Sequence, residues 1–134
     1  ETGGYKGRSR VLAKNEFHEL LSKRLGISES HIVCEYGMCE LNSQAYDRQI
    51  GVDKERAFRF PHWAQPIIIN PETGNPCDEG EIGLLRIIDL ANVYSSVAIQ
   101  TQDLARSVSD GFELLGRDQT ATPRGCSLNL LQQT

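Results

Sequence analysis

The apolar positions change period along the chain, and the change divides it into segments. From Lys14 to Leu25 the period is helical. Phe17, Leu20, Leu21 and Leu25 fall at i, i+3, i+4 and i+8 and make one apolar stripe, with Glu16, Glu19, Lys23 and Arg24 on the wet side. Asn15 is the expected N-cap, Gly26 the expected C-terminal stop, and His18 a surface residue. A turn at 27–30 then leads into a short apolar run, His31 to Cys34, read as a strand. Residues 41–56 are polar and read as an irregular, solvated loop that contains Gln44 and Tyr46. Apolar residues return between Phe58 and Ile69, where Pro61 and Pro66 divide them into short extended pieces. Residues 70–83 are turn punctuation. Leu84–Leu90 and Val93–Thr101 read as strands, with Leu85, Ile87, Val97 and Ile99 at pleat positions. Leu104–Val108 and Phe112–Leu115 flank Ser109-Asp110-Gly111, a hairpin signal. A polar linker over 116–124 precedes a short terminal strand or turn over 126–131. The expected class is α+β: a helix-strand unit followed by a β-rich, barrel-like subdomain. The chain is read as one piece, 1–134, with an α/β part over 1–56 and a β-rich part over 57–134.

Composition narrows the function classes. A hydrophobic content of 39% and a charged content of 24% suit a soluble globular protein. The net charge is −4, and Lys and Arg are scattered, so nucleic acid and anionic membrane are poor partners. No apolar run approaches the ~20 residues of a membrane span. The four cysteines, Cys34, Cys39, Cys77 and Cys126, read as free thiols of a cytoplasmic protein. Their spacing with His18, His31 and His62 completes no familiar zinc pattern.

Candidate chemistry gathers in Glu35-Tyr36-Gly37-Met38-Cys39-Glu40, just past the expected strand. Ligand sites of open α/β sheets lie at the carboxyl ends of strands. A flat ring can stack on a base, a glycine admits a phosphate, and a carboxylate can hold magnesium. By residue type alone, a buried strand followed by a polar loop is the favoured reading of this stretch.

Tyr36-Gly37-Met38-Cys39-Glu40 resembles the Tyr-Gly-x-Thr-Glu motif of adenylate-forming enzymes, the acyl- and aryl-CoA ligase superfamily. Thr101-Gln102-Asp103 resembles that superfamily's Thr-Gly-Asp, and Gly116-Arg117 its Gly-Arg. Gly80-Glu81-Ile82-Gly83-Leu84-Leu85 is similar to a structural stretch that precedes a strand there. Thr2-Gly3-Gly4-Tyr5-Lys6-Gly7-Arg8 and Arg124-Gly125-Cys126-Ser127-Leu128 resemble the acyl-protein synthetase branch, of the LuxE type.

The resemblance implies ATP-dependent activation of a carboxylic (fatty) acid and its transfer to a thiol. It implies Tyr36 at the adenine, Gly37 among the nucleotide-binding residues, Cys39 in the place of a phosphate-contacting Thr, and Glu40 as the magnesium ligand. Asp103 would take the ribose hydroxyls, and Arg117 ribose or phosphate. Cys126 would be the acylated cysteine, with an acyl reductase or carrier as partner. Cys39 is a weaker donor than Thr, and Gln102 replaces a Gly. The Ser/Thr/Gly-rich phosphate loop of such enzymes is not in these 134 residues, so the chain is expected to be the C-terminal part of a longer enzyme, inactive alone. A phenylacetate-type acyl-CoA ligase and a non-catalytic binding module that keeps the fold are the alternatives.

Overall fold

A computed structural model describes residues 1–2, 12–52 and 54–118. In chain order it holds α1 (Lys14–Leu25), a 3₁₀ turn (Glu29–His31), β1 (Glu35–Tyr36), β2 (Ala45–Tyr46), β3 (Ala64–Ile69), β4 (Ile82–Asp89), β5 (Ala98–Val108) and β6 (Gly111–Arg117). The class is α+β. The β-rich half is a four-stranded antiparallel sheet in the order β3-β4-β5-β6, and β1 and β2 form a small antiparallel ribbon. Backbone bridges join the two: Tyr46 pairs with Arg59, and the preceding residue, Phe58, pairs with Phe112 of β6.

Helix α1 has the expected bounds, and Gly26 ends it with φ 68°, where its N–H reaches the Ser22 carbonyl. Its start and its orientation differ from expectation. The N-cap is Ala13, not Asn15, and the helix is turned so that His18 is its buried residue. The foreseen stripe is partly wet, with Leu25 64% exposed. The turn follows from polar anchors. Lys14 Nζ lies 3.1 Å from Asp47 Oδ2 and 5.1 Å from the centre of the Phe58 ring. His18 Nε2 lies 2.5 Å from Glu1 Oε2. These contacts outweigh a modest apolar stripe with little to pack against.

The strand expected at His31–Cys34 begins instead at Glu35. Ser28 caps the 3₁₀ turn through Oγ, which accepts from Ser30 N–H. The Cys34 N–H is then given to Asp47 Oδ1 at 2.7 Å rather than to a neighbouring strand. The segment after β1 is not the solvated loop expected. Leu41, Ser43, Ala45 and Asp47 are buried while Asn42, Gln44 and Tyr46 are exposed, a strand-like alternation.

Pro66 sits within β3, opposite Ile87. An edge strand tolerates the missing N–H on its open side. The strand expected over Val93–Thr101 starts only at Ala98, because 90–97 is turn held by side chains of Asp89 and Asn92. The foreseen hairpin is there: Val108 pairs with Gly111 across Ser109 and Asp110. Gly111 has φ 133°, and a Cβ on it would lie 2.4 Å from the Phe58 carbonyl oxygen. Only glycine lets β6 start this close to residue 58. The core lies where the ribbon meets the large sheet and includes Tyr36, Phe58, Ile68, Leu85, Ile87 and Phe112.

Candidate active site

Tyr36 leaves the ribbon into this core. It is 8% exposed. Its ring meets Phe58, Phe60 and Phe112 edge-on at centroid distances of 6.1, 6.4 and 6.0 Å, contacts of about 0.5–1.5 kcal/mol each. Its hydroxyl emerges at the far end of the cluster and donates to Asp103 Oδ2 at 2.7 Å. Burial, then the Asp103 carboxylate, hold the phenol well above its ordinary range, so it stays a donor.

Asp103 is placed by a bulge. On β4, Leu84 and Arg86 pair with Leu104 and Gln100, so Leu85 alone faces Thr101, Gln102 and Asp103. Thr101 Oγ1 donates inward to the Leu85 carbonyl at 2.7 Å and itself accepts the Asp103 N–H at 3.1 Å. The three-residue motif is thus the bulge itself, a device that re-aims a side chain. Gln102 points outward and accepts from Arg117 Nη2 at 3.1 Å, so it does not crowd Asp103. Arg117, exposed on β6, is the register partner of Asp103.

Cys39 and Glu40 stand apart from this group. With Asn42, Asn92, Tyr94 and Ile99 they line an open groove of about 630 Å³. The Glu40 carboxylate makes no hydrogen bond or ion pair with the described residues, and its backbone carbonyl accepts from Asn92 Nδ2 at 2.7 Å. Gly37 is exposed and needs no unusual φ; a Cβ there would press only on the Gln44 side chain at 3.3 Å. Cys126, Gly3, Gly4 and Arg124 lie outside the described residues.

Two fully buried carboxylates tie the surrounding segments together, and neither burial was expected. Asp89 is 0% exposed. Its oxygens accept from Asn42 N–H, Ser43 N–H, Ser43 Oγ and Ala91 N–H at 2.8–3.1 Å. Burial alone would raise its pKa, but these donors hold it below the usual range. Asp47, also 0% exposed, binds Arg56 Nη1 at 2.6 Å, Lys14 and the Cys34 N–H. Burial opposes its charge, and these partners again win. The burial alternates from Leu41 to Asp47, but the residue types there do not, so no sequence signal marked Ser43 or Asp47. Nothing local marked Asp89.

His18, Cys34 and Glu1 bring a ring nitrogen, a sulfur and a carboxylate within 4.8 Å of one another. These atoms already hydrogen-bond one another: Cys34 Sγ lies 2.9 Å from Glu1 Oε2. Arg56 Nη1 sits 3.9 Å from the sulfur, a charge that opposes a dication. Burial and the Glu1 carboxylate push the Cys34 thiol up to about 12, so it is no nucleophile at neutral pH. The cluster is a structural tie between α1 and the segment before β1.

The Tyr36–Asp103 contact joins two motifs that lie 67 residues apart in sequence. The whole chain, residues 1–134, also matches the family described as acyl-protein synthetase, LuxE. The chain belongs to the acyl-protein synthetase (LuxE) family. It is 24% identical over 139 residues to the long-chain-fatty-acid–luciferin-component ligase of Aliivibrio fischeri, a match over 96% of this chain and 35% of that protein. This LuxE-family chain thus spans about a third of the relative's length. Its fold is that of adenylate-forming enzymes. It is similar to the ATP-bound MatB of Rhodopseudomonas palustris, with TM-score 0.58 and 21% identity over 76% of this chain and 23% of that one. It is also similar to a fatty acyl-adenylate ligase from work on the E. coli and L. pneumophila enzymes, with TM-score 0.56 and 12% identity over 81% of this chain and 27% of that one. Among the described residues no helix is long and apolar enough to cross a membrane.

Proposed function

We propose that the full-length protein is an ATP-dependent acyl-protein synthetase, a fatty acid–protein ligase. The carboxylate of the acid attacks the α-phosphorus of ATP. The new O–P bond forms as pyrophosphate leaves, giving an acyl-adenylate. A cysteine thiolate then attacks the acyl carbon, the C–S bond forms, and AMP leaves. The thiol proton passes to solvent.

The observation that carries this reading is the hydrogen bond from Tyr36 to a bulge-held Asp103, with Arg117 as register partner. A fixed carboxylate suits the two ribose hydroxyls, and an exposed guanidinium suits a phosphate or a ribose oxygen. The Tyr36 ring is packed in the core, so it would meet the adenine only at an edge, while the exposed Gly37 would let the nucleotide come close to the backbone. Cys39 and Glu40 face the groove, and Glu40 is an uncommitted carboxylate of the kind magnesium takes beside nucleotide phosphates. Magnesium held there would supply charge neutralisation at the transferring phosphate. The reading includes a cytoplasmic location and an acyl reductase or carrier that accepts the acyl group from a thioester at Cys126. Acyl transfer to CoA is the competing outcome. The outward Gln102 removes one reason to favour a non-catalytic module.

The test uses the full-length protein with ATP, magnesium and labelled fatty acid. Acid-dependent pyrophosphate exchange and label on Cys126, lost in Cys126→Ala, are expected. No exchange with any carboxylic acid overturns the enzyme reading. Exchange with label on Cys39 or Cys77, or with release only as acyl-CoA, overturns the role of Cys126.

A further inference from the structure

Asn92 lies in no motif, yet it is 3% exposed and its side chain is fully engaged. One N–H reaches the Glu40 carbonyl at 2.7 Å and the other the Ser96 carbonyl at 3.0 Å. Its Oδ1 accepts from Asn42 Nδ2 at 2.8 Å. Only a primary amide offers two donors and an acceptor in so short a side chain. Aspartate has the shape but would set a carboxylate against two carbonyl oxygens.

These contacts place Asn92 where the two walls of the groove meet. On one side is the turn that carries Cys39 and Glu40, closed by Leu41 N–H to the Met38 carbonyl at 3.1 Å. The residues after that turn are held from below, where the Asn42 and Ser43 N–H groups bind Asp89 Oδ2. On the other side is the loop over 90–97 that carries Tyr94 and Ser96, both lining the groove. Asp89 therefore fixes the exit of the turn, and Asn92 fixes the carbonyl of Glu40 itself. The Glu40 side chain makes no hydrogen bond or ion pair with the described residues that would otherwise orient it. Its backbone position therefore sets which part of the groove the carboxylate can reach.

We propose that Asn92 is the positioning residue for Glu40, holding its backbone so that the carboxylate faces a nucleotide-bound divalent cation across the groove. This rests on the reading of Glu40 as the magnesium ligand. Groups that orient a metal ligand typically change metal affinity about 10–100-fold when removed. Asn92 acts on one ligand through its backbone, so the lower end, about tenfold, is expected.

The test measures Mn²⁺ affinity by electron paramagnetic resonance on the full-length protein with a non-hydrolysable ATP analogue. Thermal stability and pyrophosphate exchange are followed in parallel. Asn92→Ala is expected to weaken Mn²⁺ about tenfold. It should also raise the magnesium needed for half-maximal exchange while leaving KM for the acid unchanged. In a Glu40→Gln background, Asn92→Ala should cost no further Mn²⁺ affinity. Asn92→Ser, whose one hydroxyl cannot span both carbonyls, carries the same expectation if the alanine variant does not fold. Unchanged Mn²⁺ affinity with a lower melting temperature overturns the positioning role, as does a full additional loss in the Glu40→Gln background. Wild-type Mn²⁺ affinity in Glu40→Gln itself overturns the reading of Glu40, a result distinct from failure at Asn92.

Discussion

At the scale of single residues, the site depends on two groups tied to each other. Tyr36 brings its ring to the core and its hydroxyl to Asp103, and Thr101 locks the Asp103 backbone. Removing only the hydroxyl separates these jobs. Tyr36→Phe keeps the edge contacts to Phe58, Phe60 and Phe112 and frees the Asp103 carboxylate to rotate. A hydrogen bond contributes about 0.5–1.5 kcal/mol net, so nucleotide affinity is expected to fall about 2–10-fold. Preference for ATP over 2′-deoxy-ATP should fall with it, as measured by calorimetry on the full-length protein. An unchanged preference in Tyr36→Phe, with a reduced one in Asp103→Asn, would show that Asp103 needs no help from the tyrosine. The motif residues were legible as residue types in the sequence. Their coupling was not, because a contact across 67 positions leaves no local pattern.

Among the elements, the β5–β6 hairpin and the β5 bulge do the positioning. The hairpin was readable because Ser-Asp-Gly between two apolar runs has a local cause. The sequence reading ended one strand at Thr101 and began the next at Leu104, but β5 runs straight through, with three residues facing one. Pairing register is a tertiary property, and no residue type in Thr101-Gln102-Asp103 announces a bulge. The start of β6 gives a direct check. Gly111→Ala must place a Cβ against the Phe58 carbonyl at a φ that L-residues rarely adopt. The expected cost is about 2–4 kcal/mol. The melting temperature should fall by at least about 5 °C, read by circular dichroism. A fall of less than a degree would mean that the 58–112 bridge is dispensable. Helix α1 is the opposite case: its span was legible from its period, but its facing was not, because Lys14 and His18 anchor it through polar partners.

Over the whole molecule, buried carboxylates hold the segments together. Asp47 ties α1, the stretch before β1 and Arg56; Asp89 ties the end of β4 to the turn after Glu40. Both have pKa values below their ordinary range. A depressed folded-state value means stability that is fully present above the unfolded value, near ~3.9, and is lost as pH falls through the folded value. Unfolding free energy by urea should therefore be flat from about pH 7 to 5 and drop below about pH 4. Asp47→Asn should be less stable at neutral pH by about 2 kcal/mol, with a shallower acid slope. A slope equal to that of the unsubstituted protein would remove Asp47 from the account.

Sequence by itself determined the α+β class, the span of α1, the closing hairpin and the motif residues, since each has a local cause in periodicity, turn chemistry or residue type. Tertiary structure decided which face of α1 is buried, that β5 passes through its motif as a bulge, and that Tyr36 meets Asp103. It also decided that Asp47, Asp89 and Asn92, polar residues that a sequence reading sends to solvent, lie inside. A buried polar group is stable only where donors and acceptors from distant segments converge on it, and that convergence exists only once the chain has folded.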